Sequence, residues 1–353
     1  MKKTRRGLAI TLAIIVLLAV GAFVQLPLAA IGPGPTFNTL GETKVKDKHN
    51  KVVEVPVIQV FGTQPDQVDG SLDMTTVNVL TGFGLFTALQ LGFDKDWTVV
   101  PRSALFPPGI SNEQMSQIQA AEMSQSENAA ITAAMNYLNQ PVATFVGTIF
   151  KKSPATGKLK VGDQIAAVNG KLITLATDVH TALRGTKAGD KVAISVIRAG
   201  QPLTQTITLK SGAPDITDRG ILGVGIYSEP VGAIKVRINL ADVGGPSAGL
   251  MFTLAIIDKL SPGSLTAGKH IAGTGTMDYD GTVGPIGGIT HKLLAASRAG
   301  AKYFFVPAKN CAEAVSAQHK GVTLVRVTTL HSALDALAQI RAGEKAPTCP
   351  ANN

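Results

Sequence analysis

The run GGPSAGLMFTLAIIDKL, Gly244 to Leu260, sets Ser247 at the mouth of an apolar helix. Proline suits the first helical position because its missing N–H is not needed there, which makes Pro246 the expected start. Ser247 then falls in the first turn, where its own N–H and that of Ala248 lack intrahelical acceptors. Such donors can hold the oxyanion that forms when a serine attacks a carbonyl carbon. The same placement also suits an ordinary helix cap, and spacing alone does not separate the two. A nucleophilic serine needs a base. None of the six histidines (His49, His180, His270, His291, His319, His331) stands in a triad pattern with Ser247, and no S-x-x-K occurs. The basic candidate is Lys292, in GTGTMDYDGTVGPIGGITHKLLAASRAGA, placed in the first turn of a second helix after a glycine-rich turn.

A lysine is a base only when neutral. Its ordinary pKa is about 10.4, and general-base work near neutrality needs a value of about 7–8. Burial and the positive end of a helix both push it down. An exposed lysine at a helix start is instead a mildly unfavourable surface residue. Thr274 can hydrogen-bond the lysine nitrogen and fix its direction.

The elements that must position these groups occupy a chain of 353 residues, long enough for two or three domains. Apolar residues make up 45%, which supports real cores. The net charge is +9, of which Lys2, Lys3, Arg5 and Arg6 supply four. The rest is dispersed and aromatics are 5%, which argues against nucleic acid as a partner. After the basic tail 1–6, residues 7–31 carry no charge, a length of roughly 37 Å as a helix. That predicts a transmembrane anchor with its N-terminus in the cytoplasm and the body outside. A cleaved signal peptide is the alternative, and it exports the body equally. Outside the cytoplasm Cys311 and Cys349 can form a disulfide that pins the tail 343–353; the alternative is two free thiols. No zinc-ligand spacing occurs and no metal or other cofactor is expected.

Residues 32–140 read as a mixed region with strands at Val52–Val60 and Ser71–Leu80. A helix follows from Asn112 to about Leu138, capped by Ser111 and Gln114. Residues 141–212 change to short strands and tight turns, with alternating Val192, Ile194 and Val196 and a hairpin turn at Asn169-Gly170. SPATGKLKVGDQIAAVNG, with its Gly162-Asp163 turn, closely resembles the core of a bacterial PDZ domain. The resemblance implies an extended peptide end added between the Ala143–Phe150 strand and the Asp178–Leu183 helix. Residues 218–342 alternate strands (Ile234–Leu240, YFFVP, VTLVRV) with helices, the last capped by Thr329.

GGPSAGLMFTLAIIDKL, IAGTGTMDYDGTVGPIGGITHKLLAASRAG and YFFVPAKN together are similar to the proteolytic domain of Lon-type peptidases. The resemblance puts Ser247 on that family's catalytic serine, Lys292 on its lysine and Thr274 beside them. The order of segments looks like the membrane-bound PDZ–Lon proteins of bacteria. Two positions depart: Gly244 and Thr276 stand where many members carry acids. No G-x-x-x-x-G-K-[ST] phosphate loop occurs, so no nucleotide is expected. The chain is expected to be an α+β multidomain protein and an ATP-independent serine endopeptidase. Its expected partners are polypeptide substrates, the cytoplasmic membrane and peptide ends in the PDZ groove. Strand Ile234–Leu240 is expected to pair with substrate. The competing reading is a catalytically inactive PDZ membrane adaptor.

Overall fold

The computed structural model describes residues 24–46, 49–107, 109–211, 219–240, 243–317 and 321–350. Residues 1–23, most of the expected span, lie outside these. Leu28–Ile31 do not end a helix. They begin β1 (Leu28–Asn38), where Ala29 and Ala30 are fully buried and hydrogen-bonded strands flank both edges. Among the described residues no helix is long and apolar enough to cross a membrane.

The elements after β1 are β2 (Glu42–Lys46), β3 (Val52–Pro56), β4 (Ile58–Phe61), β5 (Ser71–Thr81), α1 (Leu85–Phe93) and β6 (Thr98–Pro101). The expected single strand Val52–Val60 is two, because the Val57 N–H turns aside to Gly41 O and its side chain is buried. The long helix α2 (Asn112–Tyr137) has the expected cap, with Ser111 Oγ accepting from Gln114 N and Gln114 Oε1 accepting from Ser111 N. Next come β7 (Val142–Ile149), β8 (Gln164–Val168), β9 (Lys171–Leu172), α3 (Ala176–Leu183), β10 (Lys191–Arg198), β11 (Gln201–Thr208) and β12 (Val224–Pro230). The chain continues through β13 (Lys235–Ile238), α4 (Gly249–Leu260), β14 (His270–Gly273), β15 (Thr276–Met277), β16 (Val283–Gly284) and α5 (Ile289–Arg298). It closes with β17 (Tyr303–Pro307), α6 (Cys311–Ser316), β18 (Thr323–Val327) and α7 (Leu330–Ala342).

One mixed sheet runs β18-β17-β14-β5-β1-β6, parallel from β18 to β5 and antiparallel beyond. Its side chains alternate with the two-residue period of a strand. Ile271, Phe305 and Val325 pack with α2, α4 and α7 on one face. Ala272, Phe304, Val306 and Leu324 pack with α5 and α6 on the other. Burial on both faces explains why YFFVP is apolar throughout. The sheet therefore unites strands from residues 32–140 with strands from 218–342, two stretches the sequence reading keeps apart.

The second sheet runs β11-β10-β8-β7-β12 around its own core of Val146, Ile165, Ile194 and Ile207. The turn at Gly162-Asp163 is held by charge. The buried Asp163 takes a two-pronged grip from Arg198 at 2.7 Å per bond, and Arg198 holds the Asp163 carboxyl below its ordinary pKa. β12 comes from beyond residue 212 and belongs to this sheet, not to the strands that follow it. It pairs with β7, so the edge expected to receive a peptide is already filled. On that side the end strand of the sheet is β12, and β11 ends it on the other.

Candidate active site

Ser247 and Lys292 meet. Lys292 Nζ lies 2.6 Å from Ser247 Oγ and 3.1 Å from Thr274 Oγ1. Thr274 Oγ1 also lies 3.0 Å from the Ser247 carbonyl, to which it donates. Lys292 sits in the first turn of α5, as expected, and is 3% exposed. Burial pushes its pKa down to about 8, and it makes no ion pair among the described residues. A carboxylate partner would hold the cation; burial without one favours the neutral amine.

Ser247 is not in the helix. α4 begins at Gly249 with Ala248 as its cap, and Ser247 stands in the turn before it. Its carbonyl accepts from Gly275 N at 2.9 Å as well as from Thr274, so it is committed to the neighbouring chain instead of to a helical bond. The Ser247 and Ala248 N–H groups are therefore loop and cap donors, not first-turn donors, and neither has a hydrogen-bond acceptor among the described residues. Gly249 is required for this approach, since a Cβ there would stand 2.8 Å from Met277 N. Gly245 turns the chain into the loop with φ +88°.

Two supports come from α2, which composition did not single out. Gln119 O accepts from Gly245 N at 3.2 Å, and Ser126 Oγ donates to Pro246 O at 3.0 Å. Gln119 and Ser126 are two turns apart on one helical face, and that spacing was the only signal available. The same helix reaches the second sheet, where Thr132 Oγ1 donates to Ser228 O on β12.

A cavity of about 340 Å³ opens at the pair, lined by Pro35, Phe37, Val77, Val243, Ser247 and Lys292 among others. β14 covers β5 only from Ser71 to Met74, while β1 covers the opposite edge. Thr76–Val79 thus border the cavity with one backbone edge uncovered. β13 instead pairs with β4, and none of Lys235–Ile238 lines the cavity. Among the described residues no histidine lines this cavity: His270 pairs with Asp73 at 2.7 Å, and His331 packs edge-on to Tyr137. Cys311 and Cys349 form a disulfide in the core beneath α5. A second cavity, about 190 Å³, lies between α3 and β12 and is lined by Phe150, Val179, Leu183, Ile221 and Val224.

Residues 234–338 match the Lon protease (S16) C-terminal proteolytic domain, and residues 125–209 match the PDZ domain. A Lon protease of Metamycoplasma arthritidis is 48% identical over 66 residues, 19% of this chain and 8% of that protein. Lon protease 2 of Bacillus subtilis is 32% identical over 93 residues, 26% of this chain and 16% of that protein. The chain thus matches a small part of each relative's length. Among solved structures, the PDZ domain of an SdrC-like protein from Listeria monocytogenes is 19% identical, covering 24% of this chain and 85% of that one with a TM-score of 0.22. The chain carries a PDZ domain and a proteolytic domain of the Lon (S16) type.

Proposed function

We propose that the chain is a serine endopeptidase whose nucleophile is Ser247 and whose base is Lys292. The observation that carries this is a buried lysine, with no ion pair among the described residues, 2.6 Å from a serine hydroxyl at the rim of a cavity. Neutral Lys292 takes the Ser247 proton as Oγ attacks a peptide carbonyl, then returns it to the departing amine. The Ser247 and Ala248 N–H groups hold the oxyanion, and Thr274 keeps the lysine aimed. A water, deprotonated by the same lysine, then releases the acyl group. Substrate lies extended along the uncovered Thr76–Val79 edge of β5.

The rate constant kcat/KM is expected to rise with pH through an apparent pKa of about 8 and then level off, because only the neutral amine is a base. A profile flat from pH 6 to 10 on an unfolded protein substrate removes Lys292 from that role. Ser126→Ala leaves the Pro246 carbonyl without its donor and loosens the loop that aims Ser247. It is expected to lower kcat roughly tenfold with little change in KM, the pattern of a positioning residue.

No nucleotide phosphate loop occurs within this chain, which supports ATP-independent cleavage. The uncharged run after MKKTRR supports a membrane anchor with the body outside the cytoplasm, and the Cys311–Cys349 disulfide fits that compartment. The open edge of β12 and the apolar cavity beside α3 support capture of a peptide end by strand addition. Phe150, at the mouth of that cavity and 56% exposed, is expected on truncation to alanine to weaken such a peptide about tenfold by calorimetry while turnover of short peptides is unchanged.

A further inference from the structure

Helix α1, GLFTALQLGF with its capping Gly84, is apolar on two opposite sides. Ala88 and Leu91 face inward at 9% exposure each. Leu85, Phe86, Leu89 and Phe93 fall in one sector of about 100° on the outer side. They are 44%, 47%, 50% and 86% exposed. A helix with an apolar stripe on each side needs an apolar partner on each. The inner partner is the strand layer, and nothing in the chain described covers the outer one. Val79 and Leu80, on the strand just before, add 40% and 43% exposed side chains.

The position of this stripe says what covers it. The uncharged run 7–31 passes beside it: Leu26 N–H donates to Phe83 O at 3.0 Å, one residue before the cap of α1, and Val24 is 52% exposed. From Phe83 to Phe93 there is no charged residue, so the outer side can sink into lipid without stripping water from an ion. We propose that α1 lies in the surface of the bilayer, with Leu85, Phe86, Leu89 and Phe93 among the headgroups and upper acyl chains, beside the membrane anchor of the proposed function, whose expected run 7–31 is cut short by the strand that begins at Leu28. An interfacial helix of this kind buries its apolar side about 5–10 Å below the boundary. Val79 lines the catalytic cavity as well, so the cleft then opens close to the lipid and receives chain segments that lie near the membrane.

The test uses the full chain in phosphatidylcholine–phosphatidylglycerol vesicles with bromine on the upper acyl carbons. A bimane label is placed at Leu89→Cys, at Phe93→Cys and, on the PDZ domain, at the exposed Leu172→Cys. An alkaline carbonate wash reads the anchor separately. Labels at 89 and 93 that emit at shorter wavelength and lose emission to bromine, while the label at 172 does not, support the proposal. Protein that survives the wash with no bromine quenching at 89 and 93 overturns it and leaves the anchor standing. Protein that washes off after showing the quenching removes the anchor and keeps the helix on the lipid. Protein that washes off without quenching removes both. A shift to shorter wavelength without quenching, growing with protein density, assigns the stripe to a second copy and overturns the proposal.

Discussion

At pH 7, Lys292→Met is expected to cleave no substrate and yet to resist urea better than the parent chain. Two effects of one burial produce this. The folded lysine has a pKa of about 8 against an ordinary 10.5. Between those values the unfolded chain binds more protons than the folded one, so parent stability rises with pH across that window. Below about 8 the lysine is charged in both states and the full desolvation penalty applies. A shift of this size corresponds to about 3 kcal/mol. Methionine fills similar space without a charge and removes that penalty, less the worth of the bonds to Ser247 and Thr274. The gain in urea midpoint is therefore largest at pH 7 and closes toward pH 10.5. Ser247→Ala leaves the penalty in place and removes one of the two hydroxyls on Lys292 Nζ, so it is expected to lose activity by at least about 10⁴-fold and about 1–3 kcal/mol of stability at pH 7. A Lys292→Met chain that unfolds earlier than the parent at pH 7, or either variant retaining turnover, contradicts the assignment.

The double variant Cys311→Ser, Cys349→Ser is expected to lose about 4 kcal/mol of stability, from a closed loop with a separation of 38 residues. The bridge also acts locally in the folded chain. Cys349 N–H donates to Leu324 O and Arg326 N–H to Pro347 O, so the bridge keeps the tail paired along β18. Both cysteines also pack with Ile289 and Leu293 on α5, the helix that carries Lys292. Thermal unfolding with and without reductant reads the effect. The parent in reductant should match the double variant, and activity should fall first near the transition, when α5 loses its support. If reductant leaves the parent melt unchanged, the bridge does not contribute in solution.

Local signals carried well from sequence to structure. The Ser111–Gln114 box and the Thr329 cap form as read, because each is settled within four residues by side chain and backbone. Val192, Ile194 and Val196 face one core because strand geometry alternates wherever the strand lies. Structure departs from local signal where that signal meets a distant partner. The uncharged run gave no warning that its last residues would leave it for a strand, since Ala29 and Ala30 are as apolar in a sheet as in a span. Pro246 promised a helix start, but the Ser247 carbonyl is claimed by Gly275 and Thr274 from another segment, which delays the helix to Gly249. The expected peptide edge on β7 is taken by β12, which reaches it across more than sixty residues of chain, and no spacing rule encodes that.

The sequence by itself determined which residues are present to do chemistry: a serine before an apolar helix, a lysine at the mouth of another, and a threonine between them in chain order. It could not determine whether that lysine is a base. That depended on removing water from Nζ and on leaving it without an ion pair among the described residues, and both are properties of how α5, β5 and the Ser247 loop close on one another. Only the tertiary structure brings Lys292 within 2.6 Å of Ser247 with 3% of its surface exposed. An amine's proton affinity is set by its surroundings, and those surroundings are distant in the chain.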